Sequence, residues 1–410
     1  MRKYRAALIG IGGFGARHVE VLLQLVNEGE MEVAAFAEMN AAAHQESYGK
    51  LTEVGASHYI DYEEMLKAHP DIDFVVISTP IATHKPISIR VMELGFHVLV
   101  EKPPAVTIQD VDEMIAASQK HGKRCQVNFQ MTSGNAFRKM LTELRNGAIG
   151  ELRQVTGVGM WHRAQSYYSR TGWAGKLIFN GQYVLDGTFM NPLAHTLNNC
   201  QIAACAASED VLSVHPQWVQ AELYHVNDIE GDDVSCIQTR MSNGVEVNFY
   251  GMLCHHLNDH PYIVLRGSSG EMRWQYDHTM TISSGDRQEK HTFDDGDLMS
   301  NMYRNLMDAI DNPETELLAS LQACRNYVLV ANGAYESAKK VRDIPRQYVV
   351  EEQLPETSVR LLPSLSERMP HISNAGILYS QAKLPWAVAT DRIDMTDYRH
   401  FELPEALRQA

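Results

Sequence analysis

The stretch Val98-Leu99-Val100-Glu101-Lys102-Pro103-Pro104 decides how the chain reads. An apolar, β-rich run stops abruptly in a carboxylate, an amine and two prolines. Proline has no N–H and fixes its φ, so a strand cannot run through it. Lys102 is therefore predicted at a strand's carboxyl end, the edge where open α/β sheets bind ligands. Taken alone, the segment reads better as a solvated lysine on a strand-to-helix turn, the ordinary state of that residue. The flanking sequence separates the two readings.

Upstream, residues 5–9 are short and apolar, and Gly10-Ile11-Gly12-Gly13-Phe14-Gly15 follows at once. Glycines at 10, 12 and 15 match G-x-G-x-x-G, a turn whose backbone N–H groups can approach a pyrophosphate at a helix N-terminus. The bland alternative is a glycine turn that binds nothing. Residues 16–26 supply the helix, with Val19, Leu22, Leu23 and Val26 at helical spacing. A second apolar strand, 31–37, ends in Glu38. A carboxylate there accepts bonds from a ribose hydroxyl and repels a 2′-phosphate, which predicts NAD rather than NADP. The strand 73–77 closes on Ser78, Thr79 and Pro80. His84 follows, either facing the nicotinamide side or capping a helix at 86–95. A helix at 107–121 and a strand at 124–129 complete an alternation that specifies a doubly wound parallel sheet.

Together the glycine turn, Glu38, Thr79-Pro80 with His84, and Glu101-Lys102-Pro103 resemble the Gfo/Idh/MocA family (glucose–fructose oxidoreductase, inositol dehydrogenase, rhizopine catabolism) over roughly residues 1–340. The resemblance implies an α/β fold class: an N-terminal Rossmann doubly wound parallel sheet plus a C-terminal α/β domain with an open, mostly antiparallel sheet. Such a sheet bears substrate on one face and an oligomer contact on the other. The expected division is an NAD-binding domain at 1–128, a substrate and oligomerisation domain at 129–344, and a C-terminal extension at 345–410. The implied cofactor site comprises Gly10, Gly12, Gly13, Phe14, Gly15, Glu38, Thr79, Pro80, His84, Glu101 and Lys102.

In the second half, Trp161, His162, Arg163, Tyr167, Tyr168, Arg170, Trp173 and Lys176 interleave rings and cations with neither helical nor strand period. That is the composition of a ligand-contacting loop, in which Arg163, Tyr167, Tyr168, Arg170, Trp173 and Lys176 would hold substrate. An oligomer-packing arm is the competing reading. The second anchor is Asp186-Gly187-Thr188-Phe189-Met190-Asn191-Pro192-Leu193-Ala194-His195. In a helix, i and i+4 share a face, so Asn191 and His195 point into one site. His195 reads as the general base. Many members of the resembling family carry Asp where Asn191 stands, and an amide cannot titrate. Strands then succeed one another from about 211 to 276. Cys254, His255, His256, Asp259 and His260 have the composition of a metal cluster but no zinc spacing, so no metal is expected. Helices are expected at 298–310 and 315–341. From Pro345 the texture turns irregular, with no clear helix until the end, and Pro385-Trp386 is a candidate anchor for this tail.

At 410 residues and 44% hydrophobic content, two domains with sizeable cores are expected. The formal charge of −15 argues against nucleic acid or anionic membrane as a partner. Six scattered cysteines without C-x-x-C fit a reducing cytoplasm. The basic start and the short apolar run after it read as a first strand rather than a leader. These features predict an NAD-dependent homo-oligomeric oxidoreductase, a dimer or tetramer, acting on a secondary alcohol of a sugar, cyclitol or sugar acid. An NAD-using glycoside hydrolase on the same fold and a non-catalytic binding or regulatory protein are the alternatives.

Overall fold

The computed structural model describes residues 2–408. It divides into two compact units, Met1–Ala105 with Asp110–Ser133 and Gly296–Gln322, and Val106–Gln109 with Gly134–Asp295 and Ala323–Ala410.

The first unit is built on six parallel strands, β1 (Tyr4–Ile9), β2 (Met31–Ala37), β3 (Ser57–Tyr59), β4 (Phe74–Ile77), β5 (His97–Val100) and β6 (Cys125–Val127), in the order β3-β2-β1-β4-β5-β6. Its central strands are buried on both faces, which is why they read as unbroken apolar runs: Ala6–Leu8, Phe74–Ile77 and Val98–Val100 are all fully buried. Strand order reverses between β1 and β4, so the crevice at the carboxyl edge opens beside β1. Helix α1 (Gly15–Asn27) follows the glycine turn. The helix expected at 86–95 begins at His84 itself and ends at Glu93. Helix Leu298–Asp311 belongs to this unit, and Tyr4 donates its hydroxyl proton to Asp311 Oδ2 over 2.6 Å.

The second unit holds an open mixed sheet. Its strands are β7 (Leu152–Met160), then, after a short hairpin β8 (Ile178–Phe179) and β9 (Gln182–Tyr183), β10 (Pro216–His225), β11 (Val234–Met241), β12 (Glu246–Met252), β13 (Tyr262–Gly267), β14 (Gly270–Gln275), β15 (Thr279–Ser284), β16 (Arg287–Thr292) and β17 (Arg342–Asp343). The order is β16-β15-β14-β13-β7-β12-β11-β10-β17, antiparallel except for β7–β12 and β10–β17. The strand expected at 211–214 is a turn, and strand begins only at Pro216.

Helix Ala194–Cys205 lies on one face of this sheet. Its approach requires glycine on β7: a Cβ at Gly157 would stand 2.5 Å from Cys200 Sγ, and one at Gly159 2.4 Å from Leu193. The alternate residues of the same strands face a second core with Val158, Tyr224, Cys236 and Tyr250. That core is closed by the chain's own tail. The tail contains the hairpin β18 (Val350–Gln353) with β19 (Ser358–Leu361), a helix Pro363–Ala375, and β20 (Ile393–Asp394), which pairs with β10. The helix, unforeseen from the sequence, carries Pro370 inside it and buries Leu365, Met369 and Ile372. Trp386 packs edge-on to Tyr224 and Tyr379, and the Glu222 carboxylate accepts the Ser380 backbone N–H. Among the described residues, no helix is long and apolar enough to cross a membrane.

Candidate active site

The carboxyl edge of the parallel sheet gathers the residues singled out for the cofactor. Gly10, after β1, has φ +86°, and a Cβ there would stand 2.4 Å from the Ser78 carbonyl oxygen; one at Gly15 would stand 2.4 Å from that of Gly10. The turn is thus a cradle that side chains would fill. Gly12 lies beneath the His44 ring, Gly13 holds φ +54° in open space, and Phe14 is 48% exposed. Glu38 stands just past β2, and its carboxylate accepts the backbone N–H groups of Ile11 (3.1 Å) and Asn40 (2.9 Å). The carboxylate is therefore fixed against the glycine turn. A cradle of bare backbone with an oriented carboxylate beside it fits a dinucleotide whose ribose lies toward β2.

Beyond β4, the Thr83 hydroxyl donates to the Pro80 carbonyl and accepts from the Thr79 hydroxyl, each over 2.7 Å. His84 is buried, with Nδ1 2.8 Å from the Pro103 carbonyl oxygen and Nε2 2.9 Å from that of Thr79. Burial pushes its pKa below the usual range. The buried ring lies between the Thr79-Pro80 loop and the Lys102-Pro103 turn, with both nitrogens against backbone carbonyl oxygens. Lys102 follows β5 and Glu101, half-buried, on a turn closed by a cis bond to Pro103. The Glu101 carboxylate is buried and accepts His18 Nε2–H (2.8 Å), Asn128 Nδ2–H (2.5 Å) and the Lys102 backbone N–H (3.1 Å). Burial opposes its charge, but the bond from His18 and that ring's charge, then the Asn128 bond and the Lys102 charge, more than offset this, and its pKa lies below the ordinary carboxylate range. Sequence reasoning gave His18 no role; the signal for it was its place on the buried stripe of α1 with Leu22 and Leu25.

In the second unit, Asn191 lies in a turn and His195 is the second residue of helix Ala194–Cys205, so they do not share a helix as the spacing suggested. What organises Asn191 is Asp186. Its Oδ1 accepts the Asn191 amide over 2.8 Å, and its Oδ2 accepts the Gly175 N–H over 2.6 Å. Asp186 thereby joins the aromatic segment to the turn ahead of His195. Asp232 holds the same turn from β11's side, accepting the Thr188 N–H (3.1 Å) and hydroxyl (2.5 Å). Tyr167, Tyr168, Asp186, Gly187, Pro192 and Asp232 line one small space. Sequence reasoning assigned Asp186 and Asp232 no role.

The aromatic segment forms a ladder. The Arg163 guanidinium lies 4.7 Å from the Trp161 ring centre and 5.2 Å from that of Tyr167; Arg170 lies 3.6 Å from Tyr167 and 5.1 Å from Trp173. Cation–π stacking holds both guanidiniums flat and directs their N–H groups sideways. Tyr168 is buried. Lys176 is bonded to Glu230 over 2.7 Å, so it is committed to an ion pair. The cluster at 254–260 serves packing: His255 bonds Ser366 (2.9 Å) and Asp259 (3.3 Å). Among the described residues, no group of three or more His, Cys, Asp and Glu side chains is arranged to hold a metal.

Comparison with known proteins agrees with this edge. Residues 4–129 match the family described as "Oxidoreductase family, NAD-binding Rossmann fold". The alpha-N-acetylgalactosaminidase of Shewanella oneidensis is 31% identical over 159 residues, 37% of this chain and 34% of that protein. A glycosyl hydrolase family 109 protein of Shewanella sp. (strain ANA-3) is 30% identical over 159 residues, again 37% and 34%. The chain thus spans about a third of the length of the curated relatives it matches. Among solved structures, the WlbA dehydrogenase of Bordetella pertussis, in complex with NADH and UDP-GlcNAcA, is 24% identical with a TM-score of 0.66, over 82% of this chain and 97% of that one. An oxidoreductase from Agrobacterium radiobacter, in complex with NAD+, L-tartaric acid and magnesium, is 17% identical with a TM-score of 0.68, over 82% and 96%. Those identities speak to fold alone, and the sequence match is confined to one domain: residues 4–129 are similar to the NAD-binding Rossmann domain of the Gfo/Idh/MocA oxidoreductases.

Proposed function

We propose that the protein is an NAD-dependent oxidoreductase that moves a hydride between nicotinamide and a secondary alcohol of a sugar, cyclitol or sugar acid. The observation that carries this reading is the conjunction of the glycine cradle, the Glu38 carboxylate and the Glu101-Lys102 turn along one edge of one sheet. Gly10, Gly12, Gly13, Phe14 and Gly15 would receive the pyrophosphate, Glu38 the adenosine ribose, and Thr79, Pro80 and the Lys102 turn the nicotinamide side. When bound, the dinucleotide supplies the hydride acceptor. Lys102 stabilises negative charge as it develops on the alcohol oxygen, and His195 takes the hydroxyl proton. Asn191 orients the substrate, and the ladder from Trp161 to Trp173 stacks on a sugar ring. Glu38 disfavours a 2′-phosphate, so NAD is used in preference to NADP. A reducing cytoplasm suits six buried free thiols. Assembly as a homo-dimer or tetramer would use a surface other than the sheet face that the tail covers.

The experiment is an equilibrium titration of cofactor-stripped protein with NADH and NADPH, followed by a polyol and sugar-acid screen for NADH production. Tight NADH and weak NADPH binding is expected. Binding of neither would remove the reading. A second reading, NAD-using glycoside hydrolysis without net redox, is favoured by the names of the curated relatives. Release of sugar from an N-acetylgalactosaminide with no accumulation of NADH would select it.

A further inference from the structure

The aromatic segment holds two cations to which the proposed reaction gives no task. The Arg163 and Arg170 guanidiniums lie 5.2 Å and 3.6 Å from the centre of one ring, that of Tyr167, so at most about 9 Å separates two like charges. Trp161 flanks the first at 4.7 Å and Trp173 the second at 5.1 Å. The rings fix the guanidinium planes, and hydrogen bonds pin one nitrogen of each. Arg163 Nη1 donates to the His162 carbonyl (2.8 Å) and to Asn258 Oδ1 (3.0 Å), and Arg170 Nη1 donates to the Tyr167 carbonyl (2.5 Å). The edge made by Nε and Nη2 is the fork through which a guanidinium takes a carboxylate or phosphate by two parallel bonds. Among the described residues neither guanidinium has an ion-pair partner, although acidic residues outnumber basic ones by 51 to 36. Lys176, in the same segment, differs: Glu230 neutralises it over 2.7 Å.

The pair stands beside the turn that leads to His195, in the same compact unit. Tyr167 shares one small space with Asp186, Gly187 and Pro192. The Asp186 carboxylate accepts the Asn191 amide and the Gly175 N–H, which ties the segment to that turn. Arg163 and Tyr167 are half-buried and Arg170 is exposed, so the pair stays within reach of solvent. Cations already held flat lose little freedom when an anion arrives, which makes the pair preorganised for one.

We propose that Arg163 and Arg170 together receive an anionic group of the substrate, a carboxylate or a phosphate, so that the alcohol oxidised belongs to a charged sugar and not to a neutral sugar or cyclitol. The inference rests on the oxidoreductase reading above and narrows its substrate class. Hydrogen bonds between charged partners are worth about tenfold or more in affinity.

Full-length protein is titrated calorimetrically, with and without NADH, as wild type, Arg170→Gln and the double variant Arg163→Gln with Arg170→Gln. The probes are D-glucuronate and D-glucose 6-phosphate against D-glucose, and D-galacturonate against D-galactose, at constant ionic strength. In wild type at least one charged probe is expected to bind about tenfold or more tighter than its neutral partner. Arg170→Gln should lose most of that margin and the double variant all of it, with NADH affinity within about twofold of wild type. A margin for the uronates assigns a carboxylate, and one for the phosphate ester assigns a phosphate. Added NaCl should shrink the wild-type margin without touching the neutral probes, an arm that needs no variant. Equal affinity within every pair, binding of none of the probes, a margin indifferent to salt, or a margin that the double variant keeps overturns the proposal. So does a loss of NADH affinity in the variants without any charge margin, which would put the arginines on the dinucleotide. Wild type that shows the charge margin but binds no NADH removes the NAD reading instead.

Discussion

Replacing Asp232 by Asn should make the protein's stability less sensitive to alkali. Asp232 is 0% exposed; its Oδ2 accepts both bonds from Thr188, while Oδ1 is buried with no hydrogen-bond partner. Burial raises its pKa from 3.8 to about 7, against the pull of the Thr188 bonds and with a further push from Asp233. The folded pKa lies above the unfolded one, so the folded protein binds this proton more tightly. Stability is then full below about pH 4, falls as pH rises toward 7, and is level above. A gap of about 3 units at about 1.4 kcal/mol each is about 4 kcal/mol in all. A little over one unit is already lost at pH 5, which leaves about 3 kcal/mol between pH 5 and pH 8. An amide resembles the protonated acid in shape and charge. The stability of Asp232→Asn relative to wild type should therefore rise by about 3 kcal/mol between these two pH values, and other titrating groups cancel in the difference. Urea unfolding of both proteins at pH 5 and pH 8 measures it. A difference that is constant with pH, or that grows toward acid, refutes the reasoning.

Lys102→Ala should nearly abolish turnover while leaving NAD affinity within a few-fold; turnover like wild type would remove Lys102 from the chemistry. Glu38→Ala should narrow the preference for NADH over NADPH in the same titration, because it removes the charge that repels a 2′-phosphate. Trp386→Ala should cost about 3–5 kcal/mol, as a buried indole against Tyr224 and Tyr379 is lost. Its unfolding transition and the proteolytic sensitivity of residues 345–395 report this.

What was legible in the sequence was local or periodic. Strands buried on both faces wrote themselves as unbroken apolar runs, and the glycine turn and Glu101-Lys102-Pro103 each occupy a few consecutive residues. What escaped depended on partners far along the chain. His18 meets Tyr303 across 285 positions, on a helix that the sequence grouped with the second domain. Lys176 looked like a cation awaiting a substrate until Glu230 was found against it. The tail helix hid because Pro370 interrupts its pattern and its apolar stripe makes sense only against the sheet face it covers. Asn191 and His195 were joined by a helical spacing that begins too late; a turn held by Asp186 and Thr188 does that work.

That turn also bears on who handles the proton. Only the NH2 of Asn191 can donate to the Asp186 carboxylate, so the amide has one orientation and its carbonyl oxygen turns away from Asp186. In the proposed reaction Asn191 would then meet a substrate hydroxyl as an acceptor, without titrating, and the charge that an Asp would have brought to position 191 stands one side chain back. Asp186→Asn should lower kcat/KM about tenfold to a hundredfold by releasing that orientation. The swap that combines Asp186→Asn with Asn191→Asp retains one carboxylate, one amide and an acceptor for the Gly175 N–H, so it should recover stability. It also moves the titrating group next to the substrate, and the pH profile of kcat/KM should then gain an acidic limb that wild type lacks. A swapped pair with the activity and pH profile of wild type would show that the orientation of Asn191 does not matter.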